Sequence, residues 1–196
     1  HFLTGITGAV KNSLGLIPGM AKAQLHRLAP HPDDFAELLI DLYRVLAPDF
    51  VIVDAVVGLE GDGPASGSPR NFGVLAGGYN AAAVDVVLAE LLGYDTDEVK
   101  TVGLGIERGY APRRPEKVFV SGATTWPRRV DVARPASAWF REVPRPLLRL
   151  AGKQFVIRPY VLAEKCVACG RCLVSCPAGA ITNKKGKAFV HKDNCI

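Results

Sequence analysis

The chain has 196 residues, a formal net charge of +5 and 48% hydrophobic residues. That is enough for one ordinary domain with a small appendage, burying roughly 70% of its unfolded surface, and it excludes a disordered chain. No apolar run reaches the roughly 18 residues of a membrane-spanning helix, and nothing after His1 has the basic-then-apolar layout of a signal peptide.

Thr4 to Asn12 reads as a short helix or a glycine-broken turn. Pro32-Asp33-Asp34 opens a firm helix, with proline in the first turn, acids at the positive end, and Phe35, Leu38, Leu39, Leu42 and Leu46 at helical spacing. Ala47-Pro48 ends it. The β-branched run Phe50 to Val57 predicts a buried strand. Gly58 to Arg70 holds four glycines and two prolines in thirteen residues and is expected to be loop. Phe72 to Ala76 suggests a second strand. Asn80 can cap a helix from Ala81 to Leu92 that Gly93 closes, Asp95 or Thr96 can cap another up to about Arg108, and Lys117 to Ser121 reads as a strand. Helix, strand, strand, helix, helix, strand predicts an α/β or α+β layered domain over residues 1–123, followed by a small, partial ferredoxin-type α+β domain.

Between them, residues 124–156 read as a Pro/Arg-rich linker or wrapping arm, with Trp139, Phe140, Leu147, Leu148 and Leu150 as its anchors. From Arg113 to Arg158 there are eleven basic and three acidic residues, either a solvated basic linker or a docking surface for an acidic redox partner. No nucleic-acid recognition motif accompanies them. The first residue is not Met and the last follows a cysteine, so both ends are expected to be cuts in a longer protein.

All five cysteines lie after residue 165, which predicts metal in a reducing compartment, the cytoplasm, and no disulfide in the main body. Cys166-Val-Ala-Cys169-Gly-Arg-Cys172-Leu-Val-Ser-Cys176-Pro177 steps by three, three and four. Three thiolates at such steps let a tight loop fold around one cube of iron and sulfide, each reaching a different iron. Gly170 supplies positive-φ freedom, and the longer step with Pro177 aims Cys176 away. Structural zinc instead favours two C-x-x-C pairs across a longer spacer. A hairpin from Ala180 to His191, turning at Asn183-Lys184-Lys185-Gly186, can cover the cluster. Lys165, Arg171, Lys184, Lys185 and Lys187 favour the reduced cluster and raise its potential.

From Pro159 onward the sequence resembles the bacterial two-cluster 4Fe-4S ferredoxins. The resemblance implies that Cys166, Cys169 and Cys172 hold one cluster, while Cys176 and Cys195 serve a second. A single cluster completed by Cys176 or Cys195 is the alternative.

In the main body, Gly5-Ile-Thr-Gly8-Ala-Val-Lys11-Asn12-Ser-Leu-Gly15 and Asp54-Ala-Val-Val-Gly58-Leu-Glu60-Gly61-Asp-Gly63-Pro64-Ala-Ser-Gly67-Ser-Pro69-Arg70 stand out, as does Asn80-Ala-Ala-Ala-Val-Asp85. With the ferredoxin module downstream, these resemble the domain of unknown function 362 family of iron–sulfur proteins, which tends toward Asp-Pro where this chain has Asn80-Ala81. The glycine spacing is neither a dinucleotide fingerprint nor a P-loop. Asp54 ends an apolar strand before a glycine turn, where α/β folds place sites. Asp85 interrupts an apolar helix and requires a partner such as Lys11, Asn12, Arg70, a metal or an anionic substrate. Lys11, Asn12, Asp54, Glu60 and Asp85 are therefore the candidate catalytic residues, set against simple caps of backbone N–H groups. His26, His31 and His191 lack metal spacing and are expected on the surface or in loops.

Together these features predict an iron–sulfur protein passing single electrons between a redox partner and the larger domain, as part of an oxidoreductase. The alternative is a non-redox enzyme or binding domain, acting on a small molecule, whose cluster only holds the fold together.

Overall fold

The computed structural model describes residues 4–29, 31–63, 66–122, 129–136, 143–144, 159–176, 178–191 and 194. They fall into two compact units, His1–Ile17 with Ala29–Val143, and Pro18–Leu28 with Pro144–Ile196. Each unit mixes helices with a two-stranded antiparallel hairpin, so the architecture is α+β. Most of the expected arm, its five apolar anchors, Pro177 and Cys195 lie outside the described residues.

The larger unit begins with α1 (Ala9–Asn12) and a 3-10 turn, Ser13–Leu16. A helix that the sequence reading did not assign, α2 (Gly19–Leu28), belongs to the second unit. In the larger unit, α3 (Pro32–Leu46) forms where expected and buries Phe35, Ala36, Leu39 and Ile40. Its N-cap is His31, which lies outside the helix in a bend but is buried rather than at the surface. The His31 Nδ1 accepts the Asp33 amide at 3.1 Å, and Nε2 lies 3.1 Å from the Val143 carbonyl, to which it donates. A histidine satisfied at both nitrogens can be buried without cost to either one. At the other end Ala47, at φ 36, donates its N–H to Tyr43 O.

The glycine-rich stretch is not a loop. Strands β1 (Val51–Asp62) and β2 (Ser66–Gly78) pair along nearly their full length, with Gly61 opposite Gly67 and a bulge between Ala55 and Val57. The glycines mark close approach rather than a break. A Cβ at Gly67 would stand 2.9 Å from Glu60 O, and one at Gly58 would stand 2.8 Å from the Phe72 ring. Nor is the first strand buried. Burial alternates along it, and Ile52, Val56, Val57 and Leu59 are exposed, as on an antiparallel sheet with one open face.

Helix α4 (Ala81–Leu91) is apolar on nearly every side and is accordingly buried; Asp85 is its buried charged residue. It carries the core of Val86, Leu88, Ala89 and Leu91, packed with Ile6, Tyr94, Val99 and Val102. Asn80 caps it as expected, accepting the Ala83 amide at 3.0 Å. The same side chain donates to Tyr110 O at 2.8 Å. Helix α5 (Lys100–Glu107) starts later than expected, on Val99 without a side-chain cap. Residues 95–98 instead close on themselves, since Asp95 N donates to Glu98 Oε2 and Glu98 N to Asp95 O. At the far end of α5, the C-cap Arg108 ties the helix to α3 through Asp41 at 2.6 Å. The strand expected at Lys117 to Ser121 does not form. Pro115–Lys117 is a 3-10 turn, and among the described residues nothing pairs with the segment after it, where Phe119 is exposed.

In the smaller unit, a 3-10 turn (Ala163–Lys165), α6 (Arg171–Ser175) and the strands β3 (Ile181–Lys184) and β4 (Lys187–Val190) follow in order. The hairpin expected from the sequence is present, turning through Lys185 and Gly186 at φ 52 and 73.

Asn80→Ala should destabilise the chain by about 1–2 kcal/mol, because both the cap and the tie to Tyr110 are lost. Asn80→Asp keeps the acceptor and loses the donor, so urea denaturation should place it between the two.

Candidate functional site

The cysteine loop is shaped by two residues in the left-handed region, Ala168 at φ 57 and Gly170 at φ 73. These turns direct backbone N–H groups toward the sulfurs. The Ala188 N–H of β4 donates to Cys166 Sγ at 3.5 Å. That amide, then the Ala168 amide, and further the positive charge of Lys187, hold the Cys166 thiol below its ordinary value. Lys187 Nζ also donates to the Cys166 carbonyl at 2.7 Å, so adjacent residues of β4 secure both ends of one cysteine.

Cys166, Cys169 and Cys172 line a common cavity of about 350 Å³, walled by Tyr160, Leu162, Leu173 and Ala188 among others. Cys176 is not among its walls. Its Sγ accepts the Ala180 amide at 3.3 Å, behind α6, as the longer step of four suggests. Thiols around an open space, with amides turned toward them, fit a polynuclear sulfide cluster. A Cβ at Gly170 would meet nothing within 4 Å, so its glycine answers to backbone conformation rather than crowding.

In the larger unit a second cavity, of about 320 Å³, is bounded by the Gly5–Gly8 loop, β1, Phe72 of β2, the end of α4 and Val132-Ala133. Of the candidate residues, Asp54 and Glu60 line it. Glu60 is already engaged. Its carboxylate takes Arg70 Nη1 at 2.8 Å and the Ala133 amide at 3.2 Å, in that order the causes that lower its pKa. Asp54 Oδ1 accepts the Val56 amide at 2.9 Å and so braces the bulge. Lys11 and Asn12 are not among the lining residues.

Asp85 supports this cavity from behind. The buried carboxylate accepts the Ala9 amide at 2.6 Å and the Val10 amide at 3.0 Å, joining α4 to the start of α1. Arg70, one of its expected partners, pairs with Glu60 instead. A side chain at Gly8 would collide with the Asp85 carboxylate, so the glycine is what lets the two helices meet. Burial raises the Asp85 pKa to about 6, against the lowering effect of the two amides. Among the described residues no three His, Cys, Asp or Glu groups converge as one metal ion requires.

Part of the segment read as a linker or wrapping arm, residues 129–136, forms a strap beside the second cavity, through bonds that the sequence did not specify. Gly61 N donates to Ala133 O at 3.0 Å, Ala136 N to Asp62 Oδ1 at 2.9 Å, and Val130 N to Leu91 O at 2.7 Å. Arg129 and Arg134 both donate to Gly93 O, at 2.8 and 2.7 Å, just past the negative end of α4. Arg134 also lies 3.6 Å from the Tyr94 ring centroid. The arginine richness of the segment was the available signal, but it also describes a solvated linker.

Residues 1–90 match the family model of the domain of unknown function 362, and residues 159–182 match that of the 4Fe-4S binding domain. The C-terminal part of the chain thus binds a 4Fe-4S cluster. The chain is 33% identical over 120 residues to the thylakoid-associated protein sll1697 of Synechocystis sp., a match covering 61% of this chain and 37% of the relative. The chain thus covers little more than a third of that relative's length. No solved structure gives a significant match. Among the described residues no helix is long and apolar enough to cross a membrane.

The Asp85 pKa is raised from 3.8 to about 6, so its contribution to stability is fully present below 3.8 and is lost as pH rises through 6. Asp85→Asn cannot titrate. The stability of the parent relative to this variant should fall, by on the order of 3 kcal/mol, between pH 4 and 7 and stay constant above. Denaturation at a series of pH values checks this; a flat difference would place the carboxylate in a solvated setting.

Proposed function

We propose that this chain, which joins a segment matching domain of unknown function 362 to a 4Fe-4S binding domain, carries single electrons to or from its larger unit or a partner protein, in the reducing cytoplasm. The observation that carries this reading is the cavity with Cys166, Cys169 and Cys172 on its wall, two of whose thiols, Cys169 and Cys172, are exposed. When bound there, a 4Fe-4S cluster supplies a one-electron couple spread over its irons.

The chain's own groups set the terms of that exchange. Cys166, Cys169 and Cys172 act as thiolate ligands. The Ala188 and Ala168 amides offset negative charge at Cys166, and Lys187 adds a positive charge beside it. Both effects favour the more negative, reduced state and raise its potential. In the same reading Cys176 and Cys195 serve a second cluster, because Cys176 faces its own amide partner outside the first cavity. The larger unit would then be the redox-linked domain of an oxidoreductase, with its own activity resting on Asp54 and Glu60 in the 320 Å³ cavity, walled on one side by the loop that Asp85 anchors.

That same cavity favours a second reading, a non-redox enzyme or binding domain for a small molecule with a structural cluster.

Anaerobic preparation should give a brown protein whose colour bleaches reversibly with dithionite. A cluster that resists reduction would transfer support to the structural reading. Cys172→Ser should abolish the first cluster and lower iron content by that cluster's share, whereas Cys176→Ser should keep the first chromophore. Loss of colour in Cys176→Ser would make that residue the fourth ligand of a single cluster.

A further inference from the structure

We infer that the basic rim around the cysteine cavity is the docking face for an acidic redox protein; this rests on the electron-carrier reading and adds to it the kind of partner and its point of contact. Among the described residues from 159 to 194 there are five cations, Lys165, Arg171, Lys184, Lys185 and Lys187, and one carboxylate, Glu164. The five cations are all exposed. Their places are fixed by local structure. Lys165 lies on the cavity wall, Arg171 follows Gly170 between two ligand cysteines, and Lys187 is bonded to the Cys166 carbonyl. Lys184 and Lys185 stand at the tip of the β3–β4 hairpin, with Lys184 Nζ 4.8 Å from the Phe189 ring centroid.

Between these charges lie apolar side chains open to solvent. Tyr160 is 78% exposed and Val167 is 83% exposed, and both line the cavity mouth. Apolar groups ringed by charge are the anatomy of a transient protein interface. An electron must leave where the cysteine loop reaches the surface, so the groups flanking Cys169 and Cys172 are those a partner touches. Five like charges there repel cationic proteins and accelerate encounter with anionic ones. A lipid surface is the weaker fit, because the cations are spread over a loop, a helix start and a hairpin around a hole rather than along one amphipathic helix.

The test uses the anaerobic, cluster-loaded full chain and two acceptors of opposite charge, an acidic blue-copper protein and a basic c-type cytochrome. One electron leaves the reduced chain and converts Cu(II) to Cu(I), with no bond made or broken and no proton moved. The rate constant toward the copper protein should fall at least about tenfold from low ionic strength to 0.5 M salt. The cytochrome should show no such fall. Lys184→Glu/Lys185→Glu should lower the low-salt rate toward the copper protein by about tenfold. Removing cations lowers the cluster potential and so raises the driving force for this step, which leaves slower encounter as the cause.

Titrating the oxidised chain with the Cu(I) protein reads binding without electron transfer, so docking is tested even if dithionite fails to bleach the cluster and the carrier reading falls. Equal rates and equal binding for parent and double variant, at every salt concentration, would overturn the docking face. So would tighter binding, through the same two lysines, to anionic phospholipid vesicles or to a DNA duplex than to the acidic protein.

Discussion

The larger unit depends on a single buried carboxylate, that of Asp85, held by main-chain amides. Asp85 spends both oxygens on the amides of Ala9 and Val10, and this joins the apolar helix α4 to the first turn after the Gly5–Gly8 loop. The bond is strong because both oxygens are used in a dry setting, and it is demanding for the same reason. It needs a glycine at position 8, since any larger residue would occupy the carboxylate's place. The loop that walls the second cavity is therefore held by hydrogen bonds to a buried carboxyl as well as by apolar packing.

The opposite wall is held in a different way. β1 and β2 approach closely through their glycines, and the strap from Arg129 to Ala136 lies along β1 and the end of α4. Two guanidinium groups meet at Gly93 O, just past the negative end of α4. Arg70 joins the hairpin to the same strap through Glu60 and the Asp131 carbonyl. What looks like an excess of basic residues in the sequence is thus partly consumed inside the unit, and these arginines are not available to a partner. The five cations around the cysteine loop, by contrast, are all exposed.

The sequence disclosed what is decided over short distances. The turn that brings Cys166, Cys169 and Cys172 to one cavity, the Asn80 cap, the acidic first turn of α3 and the Lys185-Gly186 turn all involve residues within a few positions of one another, and each is found as expected. It failed where a residue's meaning depends on a distant neighbour. Glycines between 58 and 67 signal a loop unless Phe72 and the facing strand are known. His31 looks exposed until Val143 is brought to its Nε2. Asp85 asked for a partner, but a main-chain partner 75 residues away leaves no trace in side-chain identity. Helix α2 was the exception, since Ala21, Lys22, Gln24 and Leu25 are good helix formers and the local signal was present.

The double hold of β4 on Cys166 bears on how long the protein survives in air. Ala188 covers the sulfur and its neighbour Lys187 fixes the carbonyl, so a single fraying event at the hairpin releases both together. A thiolate uncovered in this way enters the oxidation ladder through sulfenic acid, and iron is shed when a ligand sulfur is lost. Opening of this four-residue strand, some way along the chain from Cys166, would therefore be one route by which oxidants reach that sulfur.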